Sequence, residues 1–267
     1  MSGYAPSQGM MVAPAASAPD GNNTFDPAGK YKIKCHGAYM ACEVALAPGD
    51  DLKAEGGAMV SMSSNTKINT HIEGSCFTAC CRCCCADEGL FFSDFTSNDG
   101  QPADVLVAPK VPGEIILIQM DGSCEWKIQK GSYMCCDPSI EIGFAIQGCC
   151  QGLGSGEGFI ILKATGTGRL VLNSYGSIIR YDLQPGERRT IDNGALVAWT
   201  GYTEYSIGMA KEGGGFFSKA VKSLVSGEGL VTRFTGPGTV FVQTRSIFPM
   251  ALTLYKHLPE SKKPQKN

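Results

Sequence analysis

Histidine is nearly missing from this chain. His36, His71 and His257 are the only three, and no two are close in sequence. A metal enzyme on a β-barrel scaffold draws on a His-x-His pair and a further His, so each of these reads as a surface or packing residue. Charge is also sparse, at 18% of residues with a formal net charge of −2. A nucleic-acid partner held by its phosphates needs a basic face, which this balance does not supply. No apolar run reaches the ~18 residues of a membrane-spanning helix. The opening stretch MSGYAPSQGMMVAPAASAPDG has no basic region, no long apolar run and no Arg, and it carries Asp20. It reads as neither a secretory signal nor a transit peptide, and Met1-Ser2 is not the Met-Gly start of a myristoylated chain. The expectation is a soluble, cytoplasmic protein in a reducing compartment. Its 13 cysteines are then thiols, metal ligands or acylation sites rather than disulfides. No stretch spells a recognisable reaction, so no enzyme, catalytic residue, cofactor or small-molecule substrate is expected.

What is abundant is glycine, with 34 residues. With Thr, Val and Ile it favours short strands joined by tight turns, and the chain reads as all-β. Residues 1–29, rich in Pro, Ala, Gly and Ser, read as a disordered tail. A single β domain is expected over 30–256, followed by a polar tail over 257–267. One short helix is expected over Phe216–Val225, and the last strands are expected to end near Tyr255.

Two markers recur in alternation. The first is Gly57-Ala58-Met59-Val60, Gly131-Ser132-Tyr133-Met134 and Gly194-Ala195-Leu196-Val197, at spacings of 74 and 63 residues. The second is Glu88-Gly89-Leu90, Glu157-Gly158-Phe159 and Glu228-Gly229-Leu230, at spacings of 69 and 71 residues. Together they predict three β repeats, over about 30–122, 123–180 and 181–256, packed with pseudo-threefold symmetry. One such unit is too small to hide its own apolar face, so the three must share a core. Glu88, Glu157 and Glu228 read as carboxylates that accept N–H bonds of their own turns. Gly236-Pro237-Gly238 is a further turn marker, and Asn193-Gly194 after Asp192 reads as a tight hairpin turn.

Equivalent loops of the repeats would gather at one pole. Two of those loops carry cysteines: Cys80, Cys81, Cys83, Cys84 and Cys85 in one, Cys149 and Cys150 in the other. Adjacent thiols near apolar and basic residues suit reversible S-palmitoylation of Cys80 to Cys85, which would anchor a span-less protein at a membrane surface. A second reading is Zn²⁺ or redox chemistry on Cys80, Cys83, Cys149 and Cys150, because a Cys-x-x-Cys spacing lets two thiolates meet one ion.

Four stretches resemble the altered inheritance of mitochondria protein 24 family. They are AEGGAMVSM (Ala54–Met62), GTGRLVLNSYGSI (Gly166–Ile178), PGERRTIDNGALVAW (Pro185–Trp199) and SGEGLVTRFTGPGTVFVQTR (Ser226–Arg245). The resemblance implies a β unit like that of the trp RNA-binding attenuation protein, a short relative of the double-stranded β-helix. It also implies symmetric homo-oligomers joined at sheet edges, and it brings no catalytic residues. The yeast namesake implies a link to mitochondrial inner-membrane organisation. The resulting expectation is a homo-oligomeric, non-enzymatic scaffold, membrane-associated through its Cys-rich pole.

Overall fold

The computed structural model describes residues 26–72, 91–147, 159–209 and 230–257. Strand is the dominant element, with one short helix at the end. After β1 (Tyr31–Lys34), a first set of six strands runs β2 (Ala41–Leu46), β3 (Asp51–Glu55), β4 (Met59–Met62), β5 (Thr66–Ile72), β6 (Phe91–Ser97) and β7 (Ala103–Val107). A second set is β8 (Ile115–Asp121), β9 (Trp126–Gln129), β10 (Tyr133–Cys136), β11 (Ile140–Gln147) and the long β12 (Phe159–Asn173), whose two halves stand for two strands. The third is β13 (Ile178–Leu183), β14 (Arg188–Asp192), β15 (Leu196–Thr200), β16 (Glu204–Met209), β17 (Leu230–Thr235) and β18 (Gly238–Gln243).

The three sets pair by one plan, always antiparallel. The first strand of each set pairs with the last: β2 with β7, β8 with the C-terminal half of β12, β13 with β18. The second pairs with the fifth: β3 with β6, β9 with the N-terminal half of β12, β14 with β17. The third pairs with the last, through β4, β10 and β15. The fourth pairs with the fifth, through β5, β11 and β16. Even the irregularity repeats. The register slips between Met59 and Ser61, between Tyr133 and Cys135, and between Leu196 and Ala198. A bulge therefore falls on Val60, Met134 and Val197, the same place in each set.

Successive sets are joined edge to edge. β10 pairs with β3, and β15 pairs with β9. The result is four stacked layers with three apolar seams. The first layer is β1-β2-β7-β4, and the last is β14-β17-β16. Between them lie two six-stranded layers that share β12, ordered β8-β12-β10-β3-β6-β5 and β13-β18-β15-β9-β12-β11. Tyr31, Val44, Leu52, Phe95, Met134 and Val171 fill the first seam, and Phe92, Trp126, Ile128, Ile140, Leu162 and Leu172 the second. Trp199, Phe234, Leu196, Ile191 and Val240 fill the third. The alternation of β2 sends Cys42, Val44 and Leu46 inward, whereas all four residues of β10 are buried because both its faces are covered.

Four expectations need correction. Residues 26–29 belong to the fold. Asp26, buried, accepts N–H bonds from Ala28, Lys30 and Tyr31 and holds the Arg169 guanidinium at 2.7 and 2.9 Å. Asn193-Gly194 is not a hairpin turn. It lies in a short 3-10 turn (Asn193–Ala195) capped by Asp192, and the strands it joins, β14 and β15, belong to different layers. The last strand ends at Gln243, followed by α1 (Ile247–His257), so strand does not continue to Tyr255. The repeat boundaries also shift: by pairing, β8 belongs to the second set, and a boundary at 180 would cut β13. The expected helix Phe216–Val225 lies outside the described residues.

Candidate functional site

Thiols are the first place to look for chemistry. Cys42, Cys135 and Cys136 are fully buried in the first two seams. Burial pushes the Cys42 thiol up to about 12 and the Cys135 thiol well above its ordinary range. These two are packing groups, not nucleophiles, because the thiolate is the reactive form. The Tyr133 hydroxyl donates to the Lys53 carbonyl at 2.9 Å and lies 3.3 Å from the Cys136 sulfur. Cys35 is exposed and Cys124 half-buried. Among the described residues no group of three or more His, Cys, Asp or Glu could hold a metal ion. The cysteine candidates Cys80, Cys81, Cys83, Cys84, Cys85, Cys149 and Cys150 lie outside the described residues, as do Glu88, Glu157 and Glu228.

The glycine markers are placed, and they differ. Gly57 and Gly131 adopt φ of +85° and +89°, a left-handed conformation that side chains resist. Gly194, third in that series, is needed for space: a Cβ there would lie 2.6 Å from the Ser246 hydroxyl. At Gly238 a Cβ would lie 1.8 Å from the Thr203 hydroxyl oxygen, and at Gly236 one would lie 2.3 Å from the Gln184 carbonyl. Gly236-Pro237-Gly238 is a corner at which the chain leaves the last layer for the third. His71 Nδ1 sits 3.4 Å from an Asp94 carboxylate oxygen on the neighbouring strand, while His36 and His257 are exposed.

The feature that sequence reasoning missed is the pair of unfinished sheets. Both inner layers contain six strands, the first, last and third of one set joined to the second, fifth and fourth of the set before it. Among the described residues the outermost layers contain only half of that plan, with β1 added at the far side of the first. The first layer stops at β4, the position from which β10 and β15 continue into a neighbour. The last layer starts at β14, the position at which β3 and β9 receive one.

Exposure follows from this arrangement. Met59, Val60 and Met62 are 39%, 59% and 36% exposed, while their equivalents Tyr133, Met134, Cys136, Leu196, Val197 and Trp199 are 0–1% exposed. On the other edge, Arg189 stands where Leu52 and Trp126 are buried. Its guanidinium stacks on Tyr181, 3.8 Å from the ring centre, and its Nε, shielded from solvent, has no hydrogen-bond acceptor among the described residues. A shallow cavity of about 280 Å³ opens on this last layer, lined by Arg188, Arg189, Glu204, Tyr205 and Arg233 among others.

Comparison with known proteins agrees with this architecture. An uncharacterized protein of Streptococcus pyogenes serotype M6 is 30% identical over 231 residues, which is 84% of this chain and 88% of that one. A crystal structure of a Streptococcus pyogenes protein superposes with a TM-score of 0.68 at 27% identity, covering 85% of this chain and 99% of the other. The all-β fold is thus shared with a solved structure. The family model described as "Mitochondrial biogenesis AIM24" matches residues 31–245, from β1 to just beyond β18. By that match and these relatives, this chain belongs to the AIM24 family.

Proposed function

We propose that the protein is a non-enzymatic assembly protein that builds homo-oligomers through its sheet edges and serves membrane organisation related to mitochondrial biogenesis. The family description supports the setting. The observation that carries the reading is the pair of half-sheets. An unpaired strand edge with apolar side chains is a template for another strand, and a monomer would normally blunt it with charge or Pro. β4 has neither: its sequence is Met-Val-Ser-Met. Repeats that stack by nearest-neighbour interfaces use polar end units when the array must stop. Here the first unit ends in an uncharged strand with three apolar side chains exposed.

Native mass spectrometry and light scattering on the full chain test this reading. Multiples of 28.3 kDa that grow with concentration are expected. A monomer at every concentration up to the solubility limit would remove the assembly reading. The membrane part has its own test. Replacing Cys80, Cys81, Cys83, Cys84 and Cys85 by Ser should abolish acyl adducts and membrane recovery from eukaryotic cells. If the wild type carries no adduct and stays in the soluble fraction, the membrane part is wrong.

A further inference from the structure

The internal joints specify how two copies would meet. In the first joint Cys135 faces Ala54 and Cys136 faces Lys53. In the second Ala198 faces Ile128, Trp199 faces Lys127 and Thr200 faces Trp126. Aligning the sets on their common pairing plan makes Cys135 equivalent to Ala198, and Ala54 equivalent to Ile128. The two joints therefore have one register. In the same alignment Ser61 is the equivalent of Cys135 and Ala198, while Ile191 is the equivalent of Ala54 and Ile128.

We infer that β4 of one copy adds, antiparallel, to β14 of the next, with Ser61 opposite Ile191, Met62 opposite Thr190 and Ser63 opposite Arg189. The inference rests on the assembly reading above and gives it a partner surface, a direction and a register. The joint is head-to-tail, because the two edges are different strands, so each copy keeps one edge free for a further copy. It completes a third layer of the same order as the inner two, with β1 as a seventh strand beyond β2.

The backbone is oriented for this. The Ser63 N–H donates to the Asp104 carbonyl on β7 at 2.9 Å, as the Asp137 N–H donates to the Arg169 carbonyl at 3.0 Å in the next set. Alternation along a strand then turns the Met62 N–H and carbonyl toward the open edge, as at Cys136. The outer face of the first layer is also prepared. Val60 and Leu106 occupy the places of Met134 and Val171, which pack into the first seam, and of Val197 and Phe241, which pack into the second. On a second copy Val60 and Leu106 would cover the region of Ile191 and Phe234. Ser61 and Arg189 stand where the internal joints have Cys135 or Ala198 and Leu52 or Trp126. The joint between copies is thus more polar than those within a copy, as suits a reversible contact.

The test blocks one edge at a time. Met62→Pro removes the outward amide of β4, and Thr190→Pro does the same for β14. Val60→Asp is a third variant that leaves the backbone donors in place. Met62, Val60 and Thr190 are all exposed, so thermal melts of the variants should match wild type in dilute solution. Each variant alone should be monomeric where wild type is assembled, with association weakened at least about tenfold. The decisive experiment mixes Met62→Pro with Thr190→Pro. One copy still offers β14 and the other still offers β4, so the mixture should yield a species of two copies and no larger one. If wild type assembles and the variants assemble equally well, the register is wrong while assembly through another surface stands. The same conclusion follows if the mixture fails to pair. If wild type never assembles, both readings fall together.

Discussion

β4 and β10 hold the same place in successive repeats, share one bulge and pair with equivalent strands, yet one is exposed and the other sealed. The sequences alone do not explain this. Met-Val-Ser-Met is no more polar than its exposure requires, and Tyr-Met-Cys-Cys carries a hydroxyl and two thiols into the core. What differs is the neighbour: β10 has β3 on its free side, while β4 has no strand there among the described residues. Burial in this molecule is a property of position in the stack.

The largest effect should come from breaking that equivalence from the inside. Trp199 is fully buried and makes edge contacts with Tyr205 and Phe234 at ring distances of 5.2 and 5.6 Å. Trp199→Ala should cost about 3–5 kcal/mol in chemical denaturation. Its counterpart Met62→Ala should cost under about 1 kcal/mol in the monomer. Equal costs at the two positions would mean that β4 is covered in the isolated chain.

The glycine markers sharpen the contrast between repeats. Gly238→Ala should destabilise by about 3 kcal/mol or more, since the new methyl meets two hydroxyls, those of Thr203 and Thr200, at 1.8 and 2.9 Å. Gly131→Ala meets nothing within 4 Å but must hold φ near +89°, which should cost about 1 kcal/mol. A Gly131→Asn variant should recover part of that loss, because Asn tolerates the left-handed region. Denaturant midpoints of the three proteins provide the ranking.

Asp26 ties the start of the fold to Arg169 in the second repeat. Burial alone would raise its pKa. The Arg169 guanidinium and the N–H groups of Tyr31 and Ala28 outweigh burial and hold the carboxyl below its ordinary 3.8. A lowered carboxyl contributes stability that is complete above the unfolded pKa and is lost as pH falls through the folded one. Asp26→Asn should therefore cost about 2–3 kcal/mol near neutral pH, with the gap to wild type closing below about pH 4. A gap that stays constant through the acid limb would show that the ion pair is not its source.

The smallest effect concerns the outer edge alone. Arg189→Glu should lower the melting temperature by only about 2–4 °C, since it gives up the stack on Tyr181 and a half-exposed 3.5 Å contact with Glu187. It should nevertheless weaken assembly, because the inferred register sets residue 189 beside Ser63, whose hydroxyl is held by the Asp104 carboxylate. That weakening should be greatest at low ionic strength, read as a shift in the concentration dependence of native mass.

The all-β class and the family were legible because both depend on local signals. Apolar alternation set the faces of strands such as β2, and Gly57 and Gly131 marked turns that need positive φ. Two markers alternating three times are a chain property that needs no fold to be seen. Where each repeat begins was not legible. The markers sit inside the unit, and only pairing shows that β8 closes on β12 rather than on β7. Asp26 gave no sign of its role, because its partner Arg169 is 143 residues away. The α1 helix was missed because its Ile, Phe, Met and Leu also suit a strand; Pro249 is tolerated as its third residue, within the first turn.

The sequence by itself determined the strand-forming alphabet, the repeat and the family, since each follows from residue type and spacing. Only the tertiary structure decided which strands are interior joints and which are ends. Hydrogen bonds between strands link residues far apart in the chain, and the same strand is sealed or open according to whether another copy of the unit precedes or follows it.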